Sequence, residues 1–202
     1  KLFVDRIEVS GQQGIPDQGP LIVASNHPGT YDSIAIASCV PRNDLQIIVS
    51  GVPFFQGMPT AGDHFLYAEE DPHSRMGVVR AAIRHLRSGG SLLIFPTGRM
   101  DPDPAVLPGA VQSLKAWSKS LQIFLQGVPE CRLVLTTVSG VLAETSLNHP
   151  LVKLRSKVHD RQRVAEFIQV MLQLFWKYRL KLCPRITFDQ PVETGELYQQ
   201  AH

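Results

Sequence analysis

The feature of this chain that most constrains its fold is a series of short, mainly apolar runs separated by longer segments with helical periodicity. Each run is bounded by glycine, proline or polar turn residues and is too short for a core helix, so we interpret the runs as strands. They cover residues 21–24, 47–49, 65–67, 92–95, 133–138 and 185–188. The periodicity between them predicts helices over residues 30–39, 73–88, 110–126 and 160–182. This alternation predicts an α/β fold, in which a single domain over residues 1–202 has a mostly parallel or mixed central sheet flanked by helices.

The composition narrows the class of protein. The 202 residues, 44% of them hydrophobic, are enough to bury a core, and a net charge of +2 argues against a disordered chain and against a nucleic-acid partner. Cys39, Cys131 and Cys183 are far apart, so we expect no disulfide framework and no structural zinc site, and a reducing compartment such as the cytoplasm. No apolar run reaches about 18 residues, so no segment is expected to span a membrane.

The charge is concentrated in one part of the chain. Residues 151–185 carry nine basic and two acidic side chains, a local charge of +7, whereas residues 1–150 carry −2 and residues 186–202 carry −3. The helix predicted there has apolar side chains around more than half of its circumference and basic side chains near both ends, namely Arg161, Arg163, Lys177, Arg179 and Lys181. This pattern fits peripheral contact with an anionic membrane. Alternatively, the helix is buried on two sides by the sheet and residues 147–157, or by a partner subunit.

A candidate catalytic motif lies between the first predicted strand and the helix that follows, where residues 26–32 read Asn-His-Pro-Gly-Thr-Tyr-Asp. Across a tight Pro-Gly turn, the Asp32 carboxylate can fold back onto Nδ1 of His27 and leave Nε2 as a general base. Alternatively, His27 is a hydrogen-bonded turn residue, and Asp32 is only an acid in the first turn of a helix, where negative charge is favoured. The spacing alone does not choose between these interpretations.

This motif resembles the NHxxxxD block of the lysophospholipid (glycerolipid) acyltransferase superfamily, which includes the 1-acylglycerol-3-phosphate acyltransferases. Other segments are similar to the family's later blocks, in the same order. Residues 94–99, Ile-Phe-Pro-Thr-Gly-Arg, resemble the FPEGTR block, and residues 52–55 with residues 62–66 resemble the block that runs from (I/V)PFF to GxxFxxR. Residues 133–138 stand where the fourth block belongs, and residues 185–192 are similar to the closing strand and turn. The resemblance covers residues 19–192 and implies a glycerol-3-phosphate acyltransferase-like fold.

The resemblance also implies a function, that of an O-acyltransferase that needs no metal and no cofactor besides its co-substrate. The donor would be acyl-CoA or an acyl carrier protein, and the acceptor would be a hydroxyl of a lipid or polyol. His27 would be the general base, oriented by Asp32, and the enzyme would act on the cytoplasmic side at a membrane surface. The residues expected to bind substrate are Pro96, Thr97, Gly98, Arg99, Phe54 and Phe65, although both phenylalanines fit the core equally well. A backbone N–H near Gly98 or in the turn at residues 28–29 would stabilise an oxyanion.

The chain departs from the family pattern in the residues associated with acceptor binding. Ala68 replaces the Arg of the second block, Thr97 replaces the Glu of the third, Arg99 follows Gly98 directly, and Thr136 and Thr137 stand where the fourth block has its proline. Losing a guanidinium removes a bidentate phosphate clamp, so we expect an acceptor other than a glycerol phosphate, with Arg99 as the candidate for an anionic group. The alternative for Arg99 is an ion pair with Asp101 or Asp103. Two other functions remain open, a catalytically silent lipid-binding adaptor at a membrane and a hydrolase that uses the same two residues.

Overall fold

The computed structural model describes residues 4, 6–50, 64–68, 71–117, 119–175, 180 and 182–195. Its eight strands belong to one sheet. They are β1 (Glu8–Ser10), β2 (Leu21–Ser25), β3 (Leu45–Ser50), β4 (Phe65–Ala68), β5 (Ser91–Ile94), β6 (Arg132–Ser139), β7 (Arg185–Phe188) and β8 (Val192–Glu193).

The sheet is parallel at its centre and mixed at one side. Its strand order is β1-β7-β6-β2-β5-β3-β4, and β8 pairs separately with β6. Strands β6, β2, β5, β3 and β4 run parallel to one another, whereas β7 and β8 are antiparallel to β6. Because β2 lies between β5 and β6, the loops that follow these three strands leave the sheet side by side at its carboxyl edge.

Helices cover both faces of this sheet. They are α1 (Asp32–Cys39), α2 (Pro72–Arg87), α3 (Ala110–Ser113), α4 (Ser120–Gly127), α5 (Glu144–Leu147), α6 (Pro150–Lys153) and α7 (Val158–Phe175), with 3₁₀ turns at Gln12–Gly14 and Leu114–Ala116. One apolar cluster packs α1, α5, α6 and α7 against the sheet, and a second packs α2 and α4 against the opposite face. Burial of apolar surface between these layers is the main force that holds the fold together.

The predicted α/β architecture is confirmed, and each of the six predicted strands is present with similar bounds. Two short strands were not predicted. β1 spans three exposed residues at the edge of the sheet, and β8 spans two. Strands of this length at an edge bury little apolar surface, so they leave no apolar run for a sequence analysis to find.

The prediction of one amphipathic helix over residues 110–126 is wrong. The segment forms α3, a 3₁₀ turn and then α4, with Trp117 in an extended conformation (ψ 129°) at the break. The predicted helix rests on an apolar stripe with helical spacing, formed by Val111, Leu114, Trp117, Leu121 and Leu125. Val111 is 74% exposed, and Leu114 is exposed too. Only Trp117, Leu121 and Leu125 of the predicted stripe pack against the second cluster. The bend at Trp117 lets that side chain reach the core from a segment that otherwise runs over the surface.

The predicted long C-terminal helix is present. Ala165, Val164 and Ile168 pack on the first apolar cluster, whereas Phe167 and Leu174 stay exposed. Helix α7 runs over Val158–Phe175; residues 176–179 and 181 lie outside the described part of the chain, and Leu182 is buried beyond the helix. Its buried side is mostly polar and consists of Gln162, Ala165, Glu166, Gln169 and Gln173. Helices α5 and α6 pack against it, which agrees with the expected role of residues 147–157. Within the described residues, no helix is both long and apolar enough to cross a bilayer.

Candidate active site

The candidate site lies where the loops after β2, β5 and β6 meet. The Asn26 side chain joins the first of these loops to β6, because its Nδ2 donates to the Val138 carbonyl (2.8 Å) and its Oδ1 accepts from the Val138 N–H (2.7 Å). This paired amide contact extends the β2–β6 pairing by one step beyond the strand end. The next residue, His27, is thereby held directly above the carboxyl end of the central strand.

His27 and Asp32 form the predicted contact. Nδ1 of His27 lies 2.9 Å from Oδ1 and 3.1 Å from Oδ2 of Asp32, which is the first residue of α1. The Gly29 N–H donates to the same carboxylate (2.9 Å). The Asp32 side chain is fully buried, whereas 27% of the His27 side chain is exposed. Among the described residues none bonds to Nε2 of His27, so the arrangement has one ring nitrogen on a buried carboxylate and the other facing outward.

The His27 ring is also held from the side. It stacks on Phe95, with ring centroids 4.4 Å apart and an angle of 27° between the planes. Phe95 is the first residue after β5 and lies within the block that resembles FPEGTR. It was not among the residues predicted to take part in catalysis or in binding substrate. Its ring restricts the imidazole to one plane, and Asp32 then fixes the rotation within that plane.

The surrounding charges determine the protonation of this pair. Burial of the ring acts to lower the pKa of His27, but the hydrogen bond to Asp32 and the negative charges of Asp32, Asp101 and Glu166 outweigh it, so the pKa is raised above its ordinary value of 6.5. Burial raises the pKa of the Asp32 carboxyl, against the lowering effect of its donors His27, Gly29 and Ser33. A raised histidine pKa makes the neutral imidazole a stronger base.

Asp101 holds the backbone of His27 in place. Its Oδ2 accepts the His27 N–H (2.9 Å), and its own N–H donates to the His27 carbonyl (2.8 Å). The single proton of the Thr97 hydroxyl is shared between the Arg99 carbonyl (2.8 Å) and the same carboxylate (3.1 Å). The loop after β5 is therefore fixed to the loop after β2 by one buried carboxylate.

Asp103 does the same for the loop after β6. Its carboxylate accepts the backbone N–H groups of three consecutive residues, Gly140, Val141 and Leu142, at 2.8 to 3.0 Å. The side chain is fully buried. An anion that accepts several backbone N–H groups is stable without a cationic partner. Asp101 and Asp103 are thus structural anchors, which the sequence analysis considered only as partners for Arg99.

The polar side of α7 supplies a third set of anchors. Gln162 Nε2 donates to the Pro28 and Asp101 carbonyls (2.7 and 2.8 Å). Glu166 accepts from the Thr30 N–H (2.5 Å) and hydroxyl (2.8 Å), and burial raises its pKa despite these donors. Sequence reasoning missed these residues. Their spacing of four and three along one helix was the available signal, because Gln162, Glu166, Gln169 and Gln173 share a face.

The residues predicted to bind substrate are only partly brought together. Pro96 is buried, and the Thr97 hydroxyl forms a hydrogen bond to the Arg99 carbonyl within its own loop. Gly98 has the left-handed φ of 63° that the turn requires. Arg99 is exposed, and among the described residues it forms no ion pair, so the alternative of pairing with Asp101 or Asp103 is wrong. Its guanidinium remains available for an anionic group.

Of the two predicted phenylalanines, the structure describes Phe65 alone. Phe54 lies outside the described residues. Phe65 begins β4 and packs against the first apolar cluster, three strand positions from β2 in the sheet. At roughly 4.8 Å per strand this is about 14 Å from the central strand, which fits the core alternative for Phe65. Ala68, at the end of the same strand, is half-buried.

Two of the candidate oxyanion donors, the N–H groups of Gly29 and Gly98, are already used inside the protein. The Gly29 N–H donates to Asp32, and the Gly98 N–H donates to the Phe95 carbonyl (2.9 Å). Neither can also point at a substrate oxygen in this conformation. Arg99 is the exposed cation of the loop after β5.

The chain is similar to known proteins over this region. Residues 6–129 match the sequence profile of the family described as Acyltransferase. The human lysophospholipid acyltransferase LPCAT4 is 34% identical over 116 residues, which cover 52% of this chain and 21% of that protein. Mouse LPCAT4 is 33% identical over 116 residues, with the same coverage of both chains. The chain thus spans about a fifth of the length of these curated relatives.

A solved structure shares the fold. The crystal structure of the 1-acyl-sn-glycerophosphate (LPA) acyltransferase PlsC from Thermotoga maritima superposes with a TM-score of 0.56 at 16% identity. The superposition covers 96% of this chain and 64% of that one. At this level of identity the similarity establishes the arrangement of strands and helices alone.

Proposed function

The chain belongs to the Acyltransferase family, and from that premise we propose that it transfers a fatty acyl group from a thioester donor to a hydroxyl group. The donor is acyl-CoA or an acyl carrier protein, and the acceptor is a lipid or polyol. The observation that carries the proposal is His27, with Nδ1 on the buried carboxylate of Asp32 and Nε2 facing outward. The names of the relatives, which are lysophospholipid and LPA acyltransferases, support a lipid acceptor.

The geometry suits a direct transfer without an acyl-enzyme. Nε2 of His27 takes the proton from the acceptor hydroxyl, and the resulting alkoxide attacks the thioester carbonyl carbon. The tetrahedral intermediate collapses, the C–S bond breaks, and the imidazolium returns its proton to the leaving thiolate. Asp32 remains ionised and stabilises the imidazolium that forms between these steps. Ser33, which follows Asp32, is buried inside α1, so it is poorly suited to act as a nucleophile.

Arg99 is the proposed contact for an anionic part of a substrate. It is exposed and belongs to the same loop as Asp101, which bonds to the His27 backbone. A phosphate or diphosphate of the donor or the acceptor fits a guanidinium that has no ion-pair partner in the described part of the chain. The absence of Arg at position 68 and of Glu at position 97 favours an acceptor that is not a glycerol phosphate. Pro96, Thr97 and Gly98 shape the loop that presents Arg99.

We place this reaction at the cytoplasmic face of a membrane, with the protein bound peripherally. The support is the local charge of +7 over residues 151–185, the three unpaired cysteines, and a lipid acceptor that resides in membranes. The enzyme needs no metal or further cofactor for the steps above.

The test is consumption of a radiolabelled acyl thioester by wild-type protein and by His27→Ala, with a panel of lysophospholipid, glycerol and polyol acceptors. We expect an acylated acceptor with wild type only, and a loss of about 10²- to 10⁴-fold in the variant. Equal inactivity of both proteins across the panel would instead favour a lipid-binding adaptor. Free fatty acid formed without any acceptor would favour a hydrolase.

A further inference from the structure

Helix α7 buries a largely polar side, together with Ala165 and the partly buried Val164 and Ile168, and leaves large apolar side chains exposed on the opposite side. The buried side carries Gln162, Glu166 and Gln169, which bond to backbone groups of the site loops. On the opposite side, Phe167 is 66% exposed and Leu174 is 51% exposed. An amphipathic helix normally packs the other way round, with its apolar side on the core. The reversed orientation leaves a row of large apolar side chains with no covering layer in the described structure.

The outward side combines this apolar row with cations. Phe167 and Leu174 are seven residues apart and therefore lie on one side of the helix, and half-buried Met171 stands between them. Arg163 is exposed one turn before Phe167 on that side. From Arg163 to Leu174 the row is about 17 Å long at 1.5 Å per residue. The segment that leads into the helix adds further exposed cations, namely Lys153, Arg155 and Lys157.

We propose that the outward side of α7, defined by Arg163, Phe167, Met171 and Leu174, is the surface by which this protein docks on an anionic lipid bilayer. The helix lies in the plane of the interface, with Phe167 and Leu174 at the boundary of the acyl chains and the cations among the headgroups. This deepens the membrane contact proposed above by naming the surface, and it does not depend on acyl transfer.

Charge distinguishes this occupant from a second copy of the chain. A symmetric dimer centred on the N-terminal end of this side would bring Arg163 and the cations of residues 153–157 against their copies, which opposes association. A bilayer containing anionic lipid satisfies the apolar side chains and the cations together. The exposed acidic residue on this side, Asp160, is outnumbered by the neighbouring basic side chains.

Docking through this side would also place the candidate site near the interface. The buried side of the same helix bonds to Pro28 and Thr30, which flank the turn between His27 and Asp32. The two sides of a helix are separated by its diameter of about 10 Å. A single helix therefore connects the proposed lipid surface to the loop that carries the base.

The test is co-sedimentation of the 202-residue chain with vesicles of phosphatidylcholine alone, or of phosphatidylcholine and phosphatidylserine in equal parts. We expect binding to the mixed vesicles that weakens as salt is added. Phe167→Ser should lower the partition coefficient about tenfold or more, and Arg163→Gln about fivefold. The matched controls are Ile123→Ser and Arg84→Gln, which alter exposed side chains on helices of the opposite layer and should change binding little.

Several outcomes would overturn the proposal. They are no binding to either vesicle, equal binding to both vesicles, and an equal loss of binding in the control variants. A dimer in solution that Phe167→Ser abolishes, with no vesicle binding by wild type, would assign the surface to a second copy instead. The assay contains no acyl donor, so it succeeds or fails independently of the proposed reaction. Thermal melting of each variant shows whether it is folded, and the salt titration of wild type needs no variant.

Discussion

Replacing Glu166 tests whether α7 positions the catalytic loop. The Glu166 carboxylate is buried and accepts two hydrogen bonds from Thr30, at 2.5 Å from the backbone N–H and 2.8 Å from the hydroxyl. Thr30 belongs to the turn that brings Asp32 onto His27. Glu166→Ala removes both acceptors and leaves the Thr30 N–H without its partner.

The magnitude follows from these contacts. A hydrogen bond to a charged group contributes about 1.5–3 kcal/mol. Part of the gain from the two bonds to Glu166 is offset by the cost of burying its carboxylate, and the raised pKa of Glu166 reflects that cost. We expect a net loss of about 2 kcal/mol in the free energy of unfolding, which lowers Tm by about 4–8 °C in a domain of this size. A displaced turn should also reduce kcat by about 10- to 100-fold.

Glu166→Gln keeps the size of the side chain and removes its negative charge, so it separates the two contributions. Its amide oxygen can still accept from the Thr30 N–H, so stability and kcat at neutral pH should stay near wild type. The substitution also removes one of the negative charges that raise the pKa of His27, so the acid limb of the rate profile should move to lower pH. Thermal melting and steady-state kinetics measure both variants, with Glu130→Ala as an exposed control. The positioning role is refuted if Glu166→Ala melts and turns over like wild type, or if Glu166→Gln loses as much as Glu166→Ala.

Two further substitutions examine the loops around the base. In Gly29→Ala the new Cβ would lie 3.1 Å from Cγ2 of Val141, so kcat should fall about tenfold while the protein still folds. The control Gly77→Ala, with nothing within 4 Å of its Cβ, should keep full activity, and equal activities of the two variants would contradict this. Arg99→Ala should raise the KM for the anionic substrate by about 10- to 100-fold, and an unchanged KM, matching that of the exposed control Arg84→Ala, would remove Arg99 from substrate binding.

The strands and the His27–Asp32 contact could be predicted from the sequence because their signals are local. An apolar run of a few residues between turn residues has few alternatives to a buried strand in a chain of this composition. The five-residue separation across Pro28 and Gly29 is enough to bring the carboxylate to the imidazole. In each case the residues that form the structure are also close together in the sequence.

The anchors of the site could not be predicted in the same way because they act over long sequence separations. Asp103 bonds to Gly140, 37 residues away, and Glu166 bonds to Thr30 across 136 residues. The sequence shows that these residues are acidic, but it does not show which distant backbone N–H groups their carboxylates bind. Helix α7 shows the same limit, since its wide apolar arc was visible but left open which side the helix buries. The contacts of Gln162 and Glu166 with distant loops decide this.

The failed prediction at residues 110–126 has a related cause. The side chains of Val111, Leu114, Trp117 and Leu121 have helical spacing. This spacing does not show whether the core of the protein extends along the whole of residues 110–126. The structure provides a core only from Trp117 onward, so the helix breaks there and Val111 remains exposed.

The rate of thioester consumption as a function of pH, in wild type and Asp32→Asn, tests the central claim most directly. Transfer requires neutral His27, whose pKa is raised by the carboxylate of Asp32, so the wild-type rate should rise with pH through a midpoint above 6.5. Asp32→Asn removes that charge, so its midpoint should lie lower and its rate should be reduced by about 10²- to 10⁴-fold. A wild-type rate that does not change with pH over this range, or the same midpoint in both proteins, would contradict the assignment of His27 as a base oriented by Asp32.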